Sequence, residues 1–134
     1  MATSTVEYLG GLRTKCTHLK SGSEVLTDAP LDNNGRGDAF SPTDLVATAY
    51  VSCMLTVIGI YCGNHGIDFS FGKANVTKIM MADPRRIAKI EVEFDFSENN
   101  WPESLHQRIM KAGEECPVAK TIGDNVELMF EYKF

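Results

Sequence analysis

The chain has 134 residues, a formal net charge of −5 and 43% hydrophobic residues. A chain of this length fits one domain and buries enough surface to fold without disulfides. The acidic balance, with no cluster of Lys and Arg, excludes nucleic acid and anionic membranes from the expected partners. We therefore expect a single soluble domain over 1–134.

The cysteines are expected in a reducing compartment. Residues 1–7 contain no basic segment followed by an apolar one, so the sequence predicts no secretory signal. The longest apolar stretch, 46–62, is interrupted by polar residues and is slightly short for a membrane span, so we interpret it as a core helix. The four cysteines should then be reduced in the cytoplasm and available for chemistry.

The N-terminal part of the chain predicts an antiparallel meander. Strand-like segments at 3–9, 12–19 and 24–27 are separated by glycine-containing turns. The stretch 28–40 is the longest irregular segment, and loops of this length in a compact domain often carry function.

A long helix begins with a clear signal. Ser41 suits the N-cap, Pro42 the first helical position, and Asp44 the reciprocal position of a capping box. The helix should end near Cys62, before a segment rich in glycine. Nearly every face of it is apolar, which predicts burial on most sides and a subunit interface.

The rest of the chain completes an α+β pattern. The predicted elements are strands at 68–81 and 86–96, helices at 102–112 and 117–122, and a strand at 125–132. Only Ile87 breaks the alternation of the second of these strands. The predicted order is βββ-α-ββ-α-α-β.

Cys53 lies near the middle of the long helix. Ala49, Tyr50 and Val57 share its face, and such apolar walls raise the pKa of a thiol and keep it unreactive. A buried structural cysteine is therefore one interpretation of Cys53. Cys62 falls on the opposite face, where we expect it to pack in the core.

Cys116 has a different setting. It falls at the N-cap of the predicted helix 117–122, where free backbone N–H groups and the helix dipole favour a thiolate. Cysteine caps a helix less well than serine, so its presence indicates a need for sulfur. Glu114 and Glu115 oppose the thiolate by like charge and otherwise read as a solvated helix end.

These residues resemble a known family. The segment 41–45, the Ser52-Cys53 pair in a long apolar helix and the run Glu115-Cys116-Pro117-Val118-Ala119-Lys120 look like the OsmC/Ohr superfamily. The resemblance extends over nearly the whole chain, including 10–13 and 28–30. It implies an OsmC-like fold in an intertwined homodimer, with a long central helix and two active sites at the subunit interface.

The resemblance also implies a thiol peroxidase cycle in oxidative-stress defence. Cys53 matches the peroxidatic cysteine, which attacks the O–O bond of an organic hydroperoxide and becomes a sulfenic acid. Cys116 matches the resolving cysteine, which converts that acid to a disulfide. A dithiol such as a lipoyl group would then reduce the disulfide, and neither a metal nor an organic cofactor is implied.

A thiolate on an apolar wall needs a cation. Arg13 matches the position at which family members carry a thiolate-stabilising arginine, and Arg36 in the long loop is the competing candidate. Organic hydroperoxide reductases of the superfamily carry a glutamate directly after the helix-starting proline, paired with the arginine. Thr43 stands there in this chain, followed by Asp44.

Other classes of function stay open at this point. The missing glutamate favours a non-catalytic protein that binds a hydrophobic small molecule in the interface pocket and senses redox state with its thiols. A thiol-dependent hydrolase is less favoured, because no histidine has a context that indicates a Cys–His pair. Cys16 and His18 share a strand face, but two residues make a weak metal site.

Overall fold

The computed structural model describes all of residues 1–134 and confirms the predicted α+β order. Its strands and helices are, in chain order, β1 Ser4–Gly10, β2 Arg13–His18, β3 Glu24–Asp28, α1 Pro42–Asn64, β4 Lys73–Met81, β5 Arg86–Asp95, α2 Glu103–Glu114, α3 Pro117–Ile122 and β6 Glu127–Lys133. Three short 3₁₀ turns lie between these elements at Leu31–Asn33, Ser97–Asn99 and Gly123–Asn125.

The chain divides into two compact units, Met1–Val46 and Ala47–Phe134, with the boundary inside α1. The first unit carries the sheet β1-β2-β3, in which both pairings are antiparallel, as the predicted meander requires. The second carries the sheet β4-β5-β6, in which β4 pairs antiparallel and β6 parallel to β5. That the two units fold as one domain stays a prediction.

The long loop of the first unit is fastened to the end of β3. Asp28 donates its backbone N–H to the carbonyl of Phe40 at 3.0 Å, and Thr27 and Phe40 form an isolated parallel bridge. The N–H of Ala29 donates to the carbonyl of Leu12 at 3.1 Å. The loop therefore returns to the sheet immediately before α1 begins.

The start of α1 is a reciprocal capping box, as predicted. The backbone N–H of Ser41 donates to Oδ2 of Asp44 at 3.0 Å, and the N–H of Asp44 donates to Oγ of Ser41 at 3.0 Å. Each interaction satisfies a donor that a helix start leaves without an intrahelical partner. The carboxylate of Asp44 is thereby engaged in capping.

The helix α1 supplies the middle of the core in the second unit. By length and composition it is apolar enough to cross a membrane, but its buried residues pack in the protein core. These buried residues are Ala47, Tyr50, Val51, Met54, Ile58 and Cys62. They form a stripe along one side of the helix, which is the pattern of a core helix.

The break in alternation at Ile87 is a β-bulge. Ile79 pairs with Lys89, whereas the next residue, Met80, pairs with Ile87, so one residue of β5 is skipped. An extra residue of this kind turns the side chains that follow it to the other face. Ile87 can therefore pack against the core together with Ile90, although the two do not differ by an even number of positions.

The predicted strand 68–81 is wrong over its first five residues, because β4 begins only at Lys73. Side chains occupy the backbone groups that a neighbouring strand would bind. Oδ1 of Asn99 accepts from the N–H of Ser70 at 3.0 Å and of Phe71 at 3.1 Å. The indole Nε1 of Trp101 donates to the carbonyl of Asp68 at 2.8 Å.

The helix α2 packs closely on α1. A Cβ added at Gly113 would lie 2.9 Å from Cδ1 of Ile58, so only glycine permits this approach without a shift. Ile109, one turn earlier in α2, is fully buried. This contact brings the end of α2, and the short connection to α3, against the middle of α1.

Candidate functional site

The structure brings the thiols of Cys53 and Cys116 together. The thiol of Cys53 lies close enough to that of Cys116 to raise its pKa, and both residues are free cysteines. Cys53 is half-buried, whereas Cys116 is fully buried. Two neighbouring free thiols are candidates for a disulfide.

Local sequence places Cys116 at this point. The helix α2 ends at Glu114, and Pro117 begins α3, so Cys116 is the N-cap of α3 as predicted. Its Sγ accepts a hydrogen bond from the backbone N–H of Ala119 at 3.4 Å. The cap therefore uses the sulfur itself as its acceptor.

The expected thiolate character of Cys116 is wrong. Burial raises the pKa of the Cys116 thiol, and this effect outweighs the hydrogen bond from the Ala119 N–H, which acts in the opposite direction. The hydrogen bond with Cys53 and the negative charge of an ionised Cys53 raise the pKa further. Cys116 thus holds its proton more tightly than an ordinary thiol.

Three polar side chains near the thiols were missed or undervalued from the sequence. Tyr50 is 2% exposed, and burial raises the pKa of its phenol, followed by the charges of Cys116, Glu114 and Cys53. The hydroxyl of Tyr132 donates to Oε1 of Glu114 at 3.2 Å, and burial likewise raises the Tyr132 pKa. Tyr50 and Tyr132 are therefore protonated donors, and Glu114, exposed at the end of α2 as expected, also accepts the hydrogen bond of Tyr132.

Glu114, two residues before Cys116, and Tyr50 carried a signal in the sequence, whereas Tyr132 did not. Tyr50 lies three residues before Cys53, which places both on one face of a helix. Its ring contacts Phe130 of β6 at a centroid distance of 6.4 Å. Tyr132 follows Phe130 by two residues on the same strand, and no local pattern relates either residue to α1.

The two candidate arginines lie in the first unit and differ in their surroundings. Nε of Arg13 is buried and has no hydrogen-bond partner. Arg36 forms an ion pair with Asp38 at 2.5 Å, and its side chain is 76% exposed. That Arg13 supports the Cys53 thiolate stays a prediction.

The remaining cysteines lie elsewhere. Cys62 is fully buried in the core of the second unit, as expected, and burial raises the pKa of its thiol. Cys16 lies on β2, where it pairs with Val6 and Val25 on the neighbouring strands. No group of three or more His, Cys, Asp or Glu side chains is arranged to hold a metal ion.

A comparison with protein families identifies the family of the chain. The sequence profile of the OsmC-like protein family matches residues 35–131. The chain belongs to the OsmC-like protein family. The match includes the capping box of α1 and both cysteines of the site. The predicted OsmC/Ohr membership is thereby confirmed.

Solved structures give the same result. A proposed osmotic-stress-induced and detoxification-response protein from Psychrobacter arcticus is 43% identical, with 99% of this chain and 96% of that chain covered and a TM-score of 0.93. The organic hydroperoxide resistance protein OsmC of Legionella pneumophila is 16% identical, with 100% and 98% covered and a TM-score of 0.78. OhrB of Bacillus subtilis, an organic hydroperoxide resistance protein, is 18% identical, with 98% of each chain covered and a TM-score of 0.71. No curated protein matches the chain significantly.

The raised pKa of Cys116 predicts a pH-dependent difference between the folded and unfolded chain. The native fold holds the thiol proton, so Cys116 should be alkylated by iodoacetamide only at a pH above the ordinary thiol pKa of about 8.5. The free energy of unfolding should fall over the same pH range, because the unfolded chain releases this proton more readily. Peptide mass spectrometry of native and urea-unfolded protein, alkylated across a pH series, measures the shift. A native profile at or below the unfolded one would contradict it.

Proposed function

We propose that this OsmC-like protein reduces organic hydroperoxides with Cys53 as the peroxidatic and Cys116 as the resolving cysteine. The proximity of the two thiols, together with the raised pKa of Cys116, is the observation that supports this assignment most strongly. The family membership and the fold shared with organic hydroperoxide resistance proteins of Legionella pneumophila and Bacillus subtilis also support it.

In the first step, the Cys53 thiolate attacks the distal oxygen of the hydroperoxide. The S–O bond forms as the O–O bond breaks, so the sulfur is oxidised to a sulfenic acid and the peroxide is reduced to an alcohol. The departing alkoxide needs a proton. Tyr50 is a protonated donor beside both sulfurs and can supply a hydrogen bond to that oxygen.

In the second step, Cys116 attacks the sulfur of the Cys53 sulfenic acid. The S–S bond forms, the S–O bond breaks, and the thiol proton leaves with the hydroxyl group as water. A protonated Cys116 suits this order of events, because it does not compete with Cys53 for the peroxide. An external dithiol, such as a lipoyl group, then reduces the disulfide by two thiol–disulfide exchanges and becomes a disulfide itself.

Arg13 is the cation we assign to the Cys53 thiolate. Its buried Nε has no partner within the first unit, whereas the Arg36 guanidinium is exposed and neutralised by Asp38. A desolvated cation lowers the pKa of a neighbouring thiol far more than an exposed, paired one. The role of Arg13 rests on the family resemblance together with this contrast.

A cytoplasmic homodimer is part of the proposal. In the single chain, large apolar side chains on the strands of the first unit are exposed; they include Val6, Tyr8, Leu9, Val25 and Leu26. Ile60 on α1 is 58% exposed. Apolar surface of this extent indicates a protein partner, and a second copy of the chain would cover it.

The two cysteines should separate by role when each is changed to serine. Cys53→Ser should consume no organic hydroperoxide, even in the first turnover, because no peroxidatic sulfur is left. Cys116→Ser should keep one fast turnover and then stop as a sulfenic acid, which dimedone traps before slow over-oxidation. Stopped-flow measurements with cumene hydroperoxide follow both variants.

The wild type gives the matching positive result. One equivalent of organic hydroperoxide should form a Cys53–Cys116 disulfide, mapped by digestion and mass spectrometry without reduction, and should leave Cys16 and Cys62 free. Cys62→Ser serves as the control, because this core thiol takes no part. A first turnover that persists in Cys53→Ser but is lost in Cys116→Ser would reverse the roles. A wild type that neither consumes peroxide nor forms this disulfide would favour the small-molecule binding protein.

The choice of arginine is tested by the pH profile of Cys53 alkylation. Arg13→Ala should move the profile to higher pH by about one unit or more, because a desolvated cation beside a thiolate lowers its pKa by that amount. Arg36→Ala is the matched control and should leave the profile in place. A shift in Arg36→Ala alone would transfer the role to the loop arginine.

The homodimer is tested by sedimentation at micromolar concentration. The chain mass is 14.8 kDa, so the dimer should sediment at about twice this mass. A single species at the mass of one chain would refute the dimer. Introducing a charge on the exposed sheet, as in Val25→Glu, should weaken association, whereas Lys20→Glu in the neighbouring turn should not.

A further inference from the structure

Arg13 and Asp28 face each other across two strands of the first unit. Arg13 begins β2 and Asp28 ends β3, and the antiparallel register pairs them directly. Residues that are directly opposite in an antiparallel pair present their side chains on the same face, with Cβ atoms about 4.5–5.5 Å apart. A cationic and an anionic side chain are therefore neighbours at this end of the sheet.

Both side chains contain a buried polar atom without a hydrogen-bond partner. These atoms are Nε of Arg13, which can only donate, and Oδ1 of Asp28, which as a carboxylate oxygen can only accept. Asp28 as a whole is 1% exposed. A buried donor and a buried acceptor left unpaired each cost free energy that a single shared hydrogen bond would recover.

Asp28 is held in place by the loop that follows it. Its Oδ2 accepts from the backbone N–H of Asp38 at 3.0 Å, and its own N–H donates to the carbonyl of Phe40 at 3.0 Å. One carboxylate oxygen is thus occupied and the backbone is fixed. The other oxygen, Oδ1, is left for a donor approaching from the neighbouring strand.

We propose that Asp28 is the positioning residue for Arg13, and that its Oδ1 accepts a hydrogen bond from Nε–H of the guanidinium. A change of side-chain torsions in Arg13, which has four rotatable bonds, suffices to bring the two atoms together. The carboxylate belongs to a rigid strand end, whereas the arginine is long and flexible. Asp28 therefore determines where the guanidinium lies.

The pairing leaves the far end of the guanidinium available for an anion. A carboxylate bound at Nε occupies one side of the planar group, so the remaining N–H groups point in a fixed direction. Resting on the proposed function, we assign those remaining donors to the Cys53 thiolate. Fixing the guanidinium in advance lowers the entropy that Arg13 would otherwise lose when it binds that thiolate.

The pairing itself is tested without any measurement of activity. In ¹⁵N-labelled protein, the Nε–H signal of Arg13 is assigned by its absence from the Arg13→Lys variant. This Nε–H should exchange with water about tenfold more slowly than Nε–H of the exposed Arg36, because a charge-assisted hydrogen bond protects it. Asp28→Asn, which keeps the shape but removes the charge, should abolish most of this protection. Asp38→Asn is the control, because its backbone N–H remains and its carboxylate contacts Arg36. Fast exchange of Arg13 in the wild type would overturn the proposal.

The positioning role is tested by the alkylation profile of Cys53. Asp28→Asn should move the profile to higher pH, in the same direction as Arg13→Ala, and should add nothing when combined with Arg13→Ala. A shift to lower pH would mean that Asp28 only neutralises Arg13, and it would overturn the role. An effect that persists in the Arg13→Ala background would also overturn it.

These outcomes separate the inference from the proposed function. The wild type could consume no hydroperoxide while Nε–H of Arg13 still exchanges slowly and the Cys53 alkylation profile shifts in both Arg13→Ala and Asp28→Asn. The proposed peroxidase activity would then be wrong, and the role assigned to Asp28 would stand. If Arg13→Ala moves the profile and Asp28→Asn does not, Asp28 loses its role and Arg13 keeps its own. If neither substitution moves the profile, Arg13 does not support the thiolate, and the positioning role fails with it.

Discussion

The interaction between the thiols of Cys53 and Cys116 requires three helices to meet at one point. Cys53 lies in the middle of α1, and Cys116 is the second residue of the two-residue connection between α2 and α3. Gly113, three residues before Cys116, lets the end of α2 pack closely against Ile58 of α1. A larger residue at Gly113 would force the side chain of Ile58 to shift. The packing of the core therefore helps to position the two sulfurs.

Two opposing effects act on the Cys116 thiol, and their relative size determines its state. An N-cap position stabilises a thiolate through backbone N–H groups, and the hydrogen bond from Ala119 at 3.4 Å is of this kind. Complete burial removes the water that would otherwise solvate the charge, and this effect is larger here. The same position exposed to solvent would give a reactive thiolate. Burial instead gives a thiol that keeps its proton.

Much of the fold was accessible from the sequence because the decisive signals were local. The capping box at Ser41, the proline that begins α3 and the order of the elements depend on residues a few positions apart. The strand predicted at 68–72 failed because Asn99 and Trp101, distant in sequence, occupy its backbone groups. The cysteines of the site were found through family motifs. Tyr132 was not, since its relation to the thiols arises from the packing of β6 and has no periodicity along the chain.

The placement of the single tryptophan has a spectroscopic consequence. Trp101 is 9% exposed and lies among the rings of Phe69, Phe96 and Phe134, all in the second unit. The first unit contains only Tyr8 as a fluorophore of any strength. Indole emission excited at long wavelength therefore reports the order of the helical unit alone, whereas far-ultraviolet circular dichroism reports both units. Disagreement between the two signals during denaturation would reveal whether the N-terminal sheet melts independently.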